Sequence, residues 1–173
     1  MDNFLTYRKG ASSFFVLSLL YPNLRYKEVQ FHQDHIHPAS RFSNKVFDEL
    51  ELSVEEREEW IRLRDMIPNL QLMEGRQNES KNASEFFIWL AQKSQSEQDH
   101  FKVNNIIPVN VSLLFLDFKL FFEARKILLK EKLKEVLSIN NEVQISNEEF
   151  LEQEPEIEEL ITDAEIEYIS QNP

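Results

Sequence analysis

Apolar residues crowd positions 11–20, where Phe14, Phe15, Val16, Leu17, Leu19 and Leu20 leave little polar face. That stretch predicts a buried helix, ended by Tyr21-Pro22 because the residue before proline avoids helical backbone. From Arg25 to Gln33 the pattern loosens to alternation, which predicts a strand leading into Asp34. Helical spacing returns over 39–66. Ser43 can cap a short helix over 45–50, and Ser53-Val54-Glu55-Glu56 has the form of a capping box ahead of Trp60, Leu63 and Ile67. Asn69-Leu70-Gln71-Leu72-Met73 alternates again, as a short half-buried strand would, and Gly75 permits a turn after it. A helix from Gln77 would put Asn78, Lys81 and Asn82 on one side. Residues 84–95 read as amphipathic, with Phe86, Phe87, Trp89 and Leu90 inward. After the break at Asn104–Pro108, residues 112–139 predict a long helix burying Leu113, Leu116, Phe118, Leu120 and Phe121.

These elements predict a mainly α protein with a small antiparallel β-hairpin. Its 173 residues, 42% hydrophobic with 14 phenylalanines, suffice for one sizeable core, and only two glycines argue against a turn-rich all-β fold. Without cysteine there is neither a disulfide framework nor a thiolate zinc site. The apolar run at 11–20 is too short to span a bilayer and lacks a small-x-small cleavage site, so a cytoplasmic protein with no membrane partner is expected.

Charge divides the chain. The net charge is −12, yet residues 141–173 hold eleven acids and no Lys or Arg, which leaves 20 acids against 19 bases over 1–140. The expected organisation is therefore a domain over 1–140 and an acidic tail over 141–173. The tail carries a capping box at Ser146-Asn147-Glu148-Glu149 and then Ile157, Leu160, Ile161, Ile166 and Ile169 at helix-like spacing. A near-neutral body can own a local basic face, but it lacks the broad electrostatic footprint of an avid nucleic-acid binder.

One stretch proposes a chemistry. Asp34 and His35 offer an anionic oxygen ligand beside an imidazole that titrates near neutrality; as strand neighbours they serve one site only if the backbone bends there, a break Pro38 is compatible with, and Asn69 and Asn78 follow downstream. Carboxylate and amide oxygens suit a magnesium-class ion, and a neutral imidazole can take a proton from water. Asp34-His35-Ile36-x-Pro38, Asn69-Leu70 and Asn78-x-x-Lys81 resemble the HNH (ββα-metal) nuclease motif. The run from Ile67 to Gly75 and on to Lys81 resembles, more particularly, the C-terminal HNH domain of Gmr-type, modification-dependent restriction proteins, and the resemblance covers roughly residues 10–137.

The resemblance implies a ββα-metal finger over 28–38 and 67–83, embedded in a helical domain with a helical insertion at 39–66. It also implies cleavage of phage or foreign DNA, possibly modified, with Mg2+ or Mn2+ as cofactor and a ParB-like nucleotide-handling partner. In it Asp34 and Asn78 hold the metal, His35 is the general base, and Asn69 braces the loop through its amide. Lys81, Arg76, Arg41 and Lys45 are candidate DNA contacts, Lys81 alternatively bracing the site; scattered bases like these also commonly form a solvated surface. A wider rim could add Arg25, Lys27, Arg125, Lys126 and Lys130. His32 and His37 have no place in the catalytic set. The same residues would serve an RNA-directed nuclease, or a non-catalytic HNH-fold module that binds a ParB-like partner chain.

Overall fold

The structure, a computed structural model, describes residues 1–21, 24, 28–75, 81 and 84–143. The expected tail helix, Asn78, Asn82 and Arg76 therefore lie outside the described residues. The chain divides into a unit at 1–137 and another at 138–173, and the architecture below is that of the first.

The fold is mainly helical with one two-stranded antiparallel sheet. In chain order it comprises α1 (Asp2–Leu5), α2 (Ala11–Leu20), β1 (Phe31–His35), α3 (Asn44–Glu49), α4 (Val54–Arg64), β2 (Leu70–Glu74), α5 (Phe86–Ala91), α6 (Gln95–Asn104) and α7 (Phe118–Val143). Three-residue 3-10 turns precede α3, β2 and α7. β1 and β2 pair from Phe31↔Glu74 to His35↔Leu70, with Asp34 opposite Gln71. No helix among the described residues is long and apolar enough to cross a membrane.

Three apolar clusters meet along α7. Leu129 and Leu133 pack with Leu17 and Leu20 of α2 and with Leu70 and Leu72 of β2. Phe118 and Phe122 pack with Phe47 of α3 and Trp60 of α4. Phe121 joins Ile36, Met73, Phe86 and Trp89. β2 thus lies between layers and is buried on both faces from Leu70 to Met73, rather than the half-buried strand its alternation predicts.

Local chemistry explains where the elements start. At α4 the Ser53 hydroxyl accepts from the Glu56 N–H at 3.2 Å and the Glu56 carboxylate accepts from the Ser53 N–H at 2.8 Å, the predicted capping box. The helix expected at 84–95 is instead two, because Ser94 forms a second such box with Glu97 and opens α6. The long helix begins at Phe118 rather than residue 112. The Ser112 hydroxyl accepts from the Leu114 N–H at 3.2 Å, and such a side-chain acceptor competes with helical bonding. Leu116 lies in the turn before α7 and Leu120 on the face of α7 away from the buried Phe118, Phe121 and Phe122; both are exposed, as is Phe87, correcting the three burial expectations.

Candidate functional site

Asp34 and His35 are the last two residues of β1. Successive side chains of a strand leave on opposite faces, and here they find different partners. The Asp34 carboxylate meets its cross-strand neighbour, accepting from the Gln71 side-chain N–H at 3.1 Å, and pairs with the Lys81 ammonium at 2.8 Å through the same oxygen. The Lys81 ammonium also donates to the His35 backbone carbonyl at 2.6 Å. Fully buried, Lys81 is not the phosphate contact expected of a helix-surface lysine; it braces Asp34 from within the fold. Burial pushes its pKa down, with Asp34 working against that shift.

On the other face, His35 Nε2 lies 2.9 Å from an Asp65 carboxylate oxygen. The Arg64 guanidinium holds that carboxylate in a fork, with bonds of 3.0 and 2.7 Å. The Arg64 bonds first, and then the His35 bond, keep the Asp65 carboxyl ionised with a pKa of about 2. An anion at Nε2 favours the tautomer that carries the proton there, leaving Nδ1 as the basic nitrogen. Burial is the larger influence on His35 and pushes its pKa down, so the ring is neutral at neutral pH. About 12% of its side chain reaches solvent, which leaves an open edge.

Asn69 ties the two faces together. Fully buried in the turn before β2, its side-chain carbonyl accepts from the His37 N–H at 2.9 Å. Its amide N–H groups donate to the carbonyls of His37 at 3.2 Å and Arg64 at 2.8 Å, and its backbone carbonyl accepts from the Ile36 N–H at 2.8 Å. One side chain therefore fixes both the loop leaving His35 and the corner presenting Asp65. Arg125, fully buried on α7, fixes the same turn by donating to the carbonyls of Pro68 at 2.9 Å and Leu70 at 2.8 Å. That removes Arg125 from the expected phosphate rim.

Among the expected DNA contacts, Lys45 is exposed on α3. Arg41 is half-buried, paired with Glu85 at 2.8 Å and stacked over Phe115 at 5.5 Å, so its charge is engaged inside the fold. Arg76 and the metal ligand expected at Asn78 lie outside the described residues. Gln71, Asp65 and Arg64 were missed by the sequence reading. Register alone could have found Gln71, since a residue opposite Asp34 shares its face; nothing in the spacing marks Asp65.

Asp34, the His35 carbonyl and the Gln71 amide supply hard oxygens, and the buried Gln71 side-chain oxygen has no hydrogen-bond partner among the described residues. The donor type fits a magnesium-class cation, and the Lys81 ammonium shows that the Asp34 and His35 oxygens accommodate positive charge. No group of three or more His, Cys, Asp or Glu that could hold a metal occurs among the described residues. No protein-family model matches the chain, and no curated protein is significantly similar to it.

Proposed function

We propose that this chain is a magnesium-dependent DNA endonuclease of the HNH type, acting in restriction of phage or foreign DNA. The observation that carries the reading is the neutral, Asp65-bonded His35 at the end of β1, next in the chain to the Asp34 carboxylate and with the loop that leaves it pinned by Asn69. Mg2+ or Mn2+, held by Asp34 with Asn78, would supply a counter-charge for the scissile phosphate. His35 accepts the proton of the attacking water at Nδ1, and Asp65 stabilises the imidazolium that results. Asn69 keeps the imidazole edge aimed by holding the backbone on both sides of it. A ParB-like partner chain, suggested by the motif resemblance alone, would provide sensing or nucleotide-driven control.

A second reading has a specific observation behind it. The Lys81–Asp34 pair already neutralises the expected metal ligand. A partner-binding HNH-fold module without catalysis would keep such a pair as a structural element.

A nicking assay on supercoiled DNA with Mg2+ or Mn2+ distinguishes them. The parent should cleave, and His35→Ala should lose about 100- to 10,000-fold in rate, the usual worth of a general base. In the same protein, the divalent ion should raise the melting temperature in a manner abolished by Asp34→Ala, since a ligand bound only by the folded state stabilises it. Absence of cleavage together with no ion-dependent stabilisation would favour the module.

A further inference from the structure

The His35 face of β1 is covered by a segment that the motif does not include. Gln33, two residues before His35 and so on its face, grips Gly10 from both sides: the Gly10 N–H donates to the Gln33 side-chain carbonyl at 2.9 Å, and the Gln33 amide donates to the Gly10 carbonyl at 3.0 Å. One residue earlier, the Lys9 N–H donates to the Asp65 backbone carbonyl at 2.8 Å. Arg8 forms an antiparallel bridge with Met66. Residues 8–10 are thereby fastened to both β1 and the Asp65 corner, directly beside the His35–Asp65 contact.

This fastening uses backbone groups and leaves the side chains free. Arg8 and Lys9 are exposed, and neither pairs with an acid among the described residues. Arg64 and Asp65 neutralise each other next to them. The edge therefore keeps two exposed positive charges on a segment whose backbone is fastened to the Asp65 corner beside His35. The expected contacts Lys81 and Arg41 are, by contrast, spent inside the fold. Fixed cations beside a base and open to solvent are what a polyanion's backbone requires for docking.

We infer that Arg8 and Lys9 form the phosphate-contacting edge of the His35 site and bind the phosphodiester backbone of duplex DNA. This inference rests on the nuclease reading for its substrate, and binding can be measured without chemistry. The test is fluorescence anisotropy of a labelled DNA duplex of about 20 base pairs in chelator, titrated across salt concentrations. The Arg8→Gln/Lys9→Gln double variant should bind more weakly, with a log–log salt slope shallower by about 2, roughly one for each lost phosphate contact. A Lys9→Arg protein should bind more tightly than a Lys9→Gln protein, and Lys119→Gln, at an exposed lysine paired with Glu59 and outside the expected contacts, should bind as the parent does. Both substitutions leave the Lys9 and Arg8 backbone bonds in place, and matching melting temperatures would verify the fold. If the double variant melts early, the same slope comparison on each single variant decides the matter.

Parent-like affinity and slope in the double variant would overturn the inference, as would a parent that binds duplex RNA but not duplex DNA. A parent that binds DNA through this edge yet never cleaves it would uphold the edge and overturn the nuclease reading. A parent that cleaves, with the double variant binding and cleaving unchanged, would do the reverse.

Discussion

His37 carries an imidazole into a cage of phenylalanine rings, with centroids of Phe86, Phe115, Phe118 and Phe121 at 6.0, 5.9, 5.6 and 4.8 Å. Its Nε2 is buried with no hydrogen-bond partner among the described residues. Burial first, and then the nearby charges of Lys81 and Arg125, push its pKa from 6.5 to about 3. The folded state therefore resists a proton that the unfolded chain binds readily. Stability is full above the unfolded value near 6.5 and is lost as the pH falls towards 3, by up to ~1.4 kcal/mol for each pH unit. Burial lowers the pKa of His35 as well and contributes with the same sign. In His37→Leu the backbone bonds to Asn69 remain, so the acid slope should flatten by about that amount. Urea unfolding of parent and variant at pH 7 and near pH 4.5 measures it; parallel losses in the two would assign the acid sensitivity elsewhere.

Among the elements, α7 does most to set the site, and it does so through Arg125. The guanidinium donates to carbonyls of Ile67, Pro68, Leu70, Asn105 and Ile106 and to the Tyr21 hydroxyl, with no carboxylate partner among the described residues. Arg125→Met would fill much of the space but leave several buried carbonyls without donors. At about 1–3 kcal/mol for each unsatisfied buried group, the loss should reach about 3 kcal/mol or more. Lysine should rescue little, because its single ammonium cannot reproduce the planar fork. Chemical denaturation checks both; a loss below about 1 kcal/mol would show that water or neighbouring groups take over these carbonyls.

Arg125 also marks the limit of what the sequence discloses about these elements. Periodicity located α2, α4 and β2, because each follows from residues close in the chain; the strand expected over 25–33 instead runs Phe31–His35, with 28–30 outside it. Whether Arg125 faces solvent or the core is decided by carbonyls 55 to 58 residues away, and a local pattern carries no record of them. The same is true of Lys81, whose partner Asp34 arrives through strand register, and of Asp65, which meets His35 across 30 residues. Leu116 and Leu120 are as apolar as Phe118 and Phe121, and only the packing of α7 against the rest of the fold decides which of the two stripes is buried. Asp34, His35 and Asn69 stand out in the sequence; the bend needed to turn Asp34 and His35 to one face does not form, because β1 and its pairing run through both.

At the scale of the whole molecule, charge is distributed very unevenly along the chain. The body over 1–140 is nearly balanced, and residues 141–173 add eleven acids. A free polyanionic segment competes with DNA for any basic edge. Removing residues 141–173 should therefore raise affinity for duplex DNA at low salt. The gain should shrink as salt rises, since exposed charges are screened beyond about 10 Å at 0.1 M. Equal affinity of the full and shortened proteins at low salt would mean that the acids do not act on the binding edge. Timing of assembly adds a last constraint. The turn that holds Asn69 and aims His35 takes its buried donor from Arg125, so a growing polypeptide that already contains both strands still lacks the guanidinium that satisfies them. Packing of that corner should then wait until the ribosome has delivered α7.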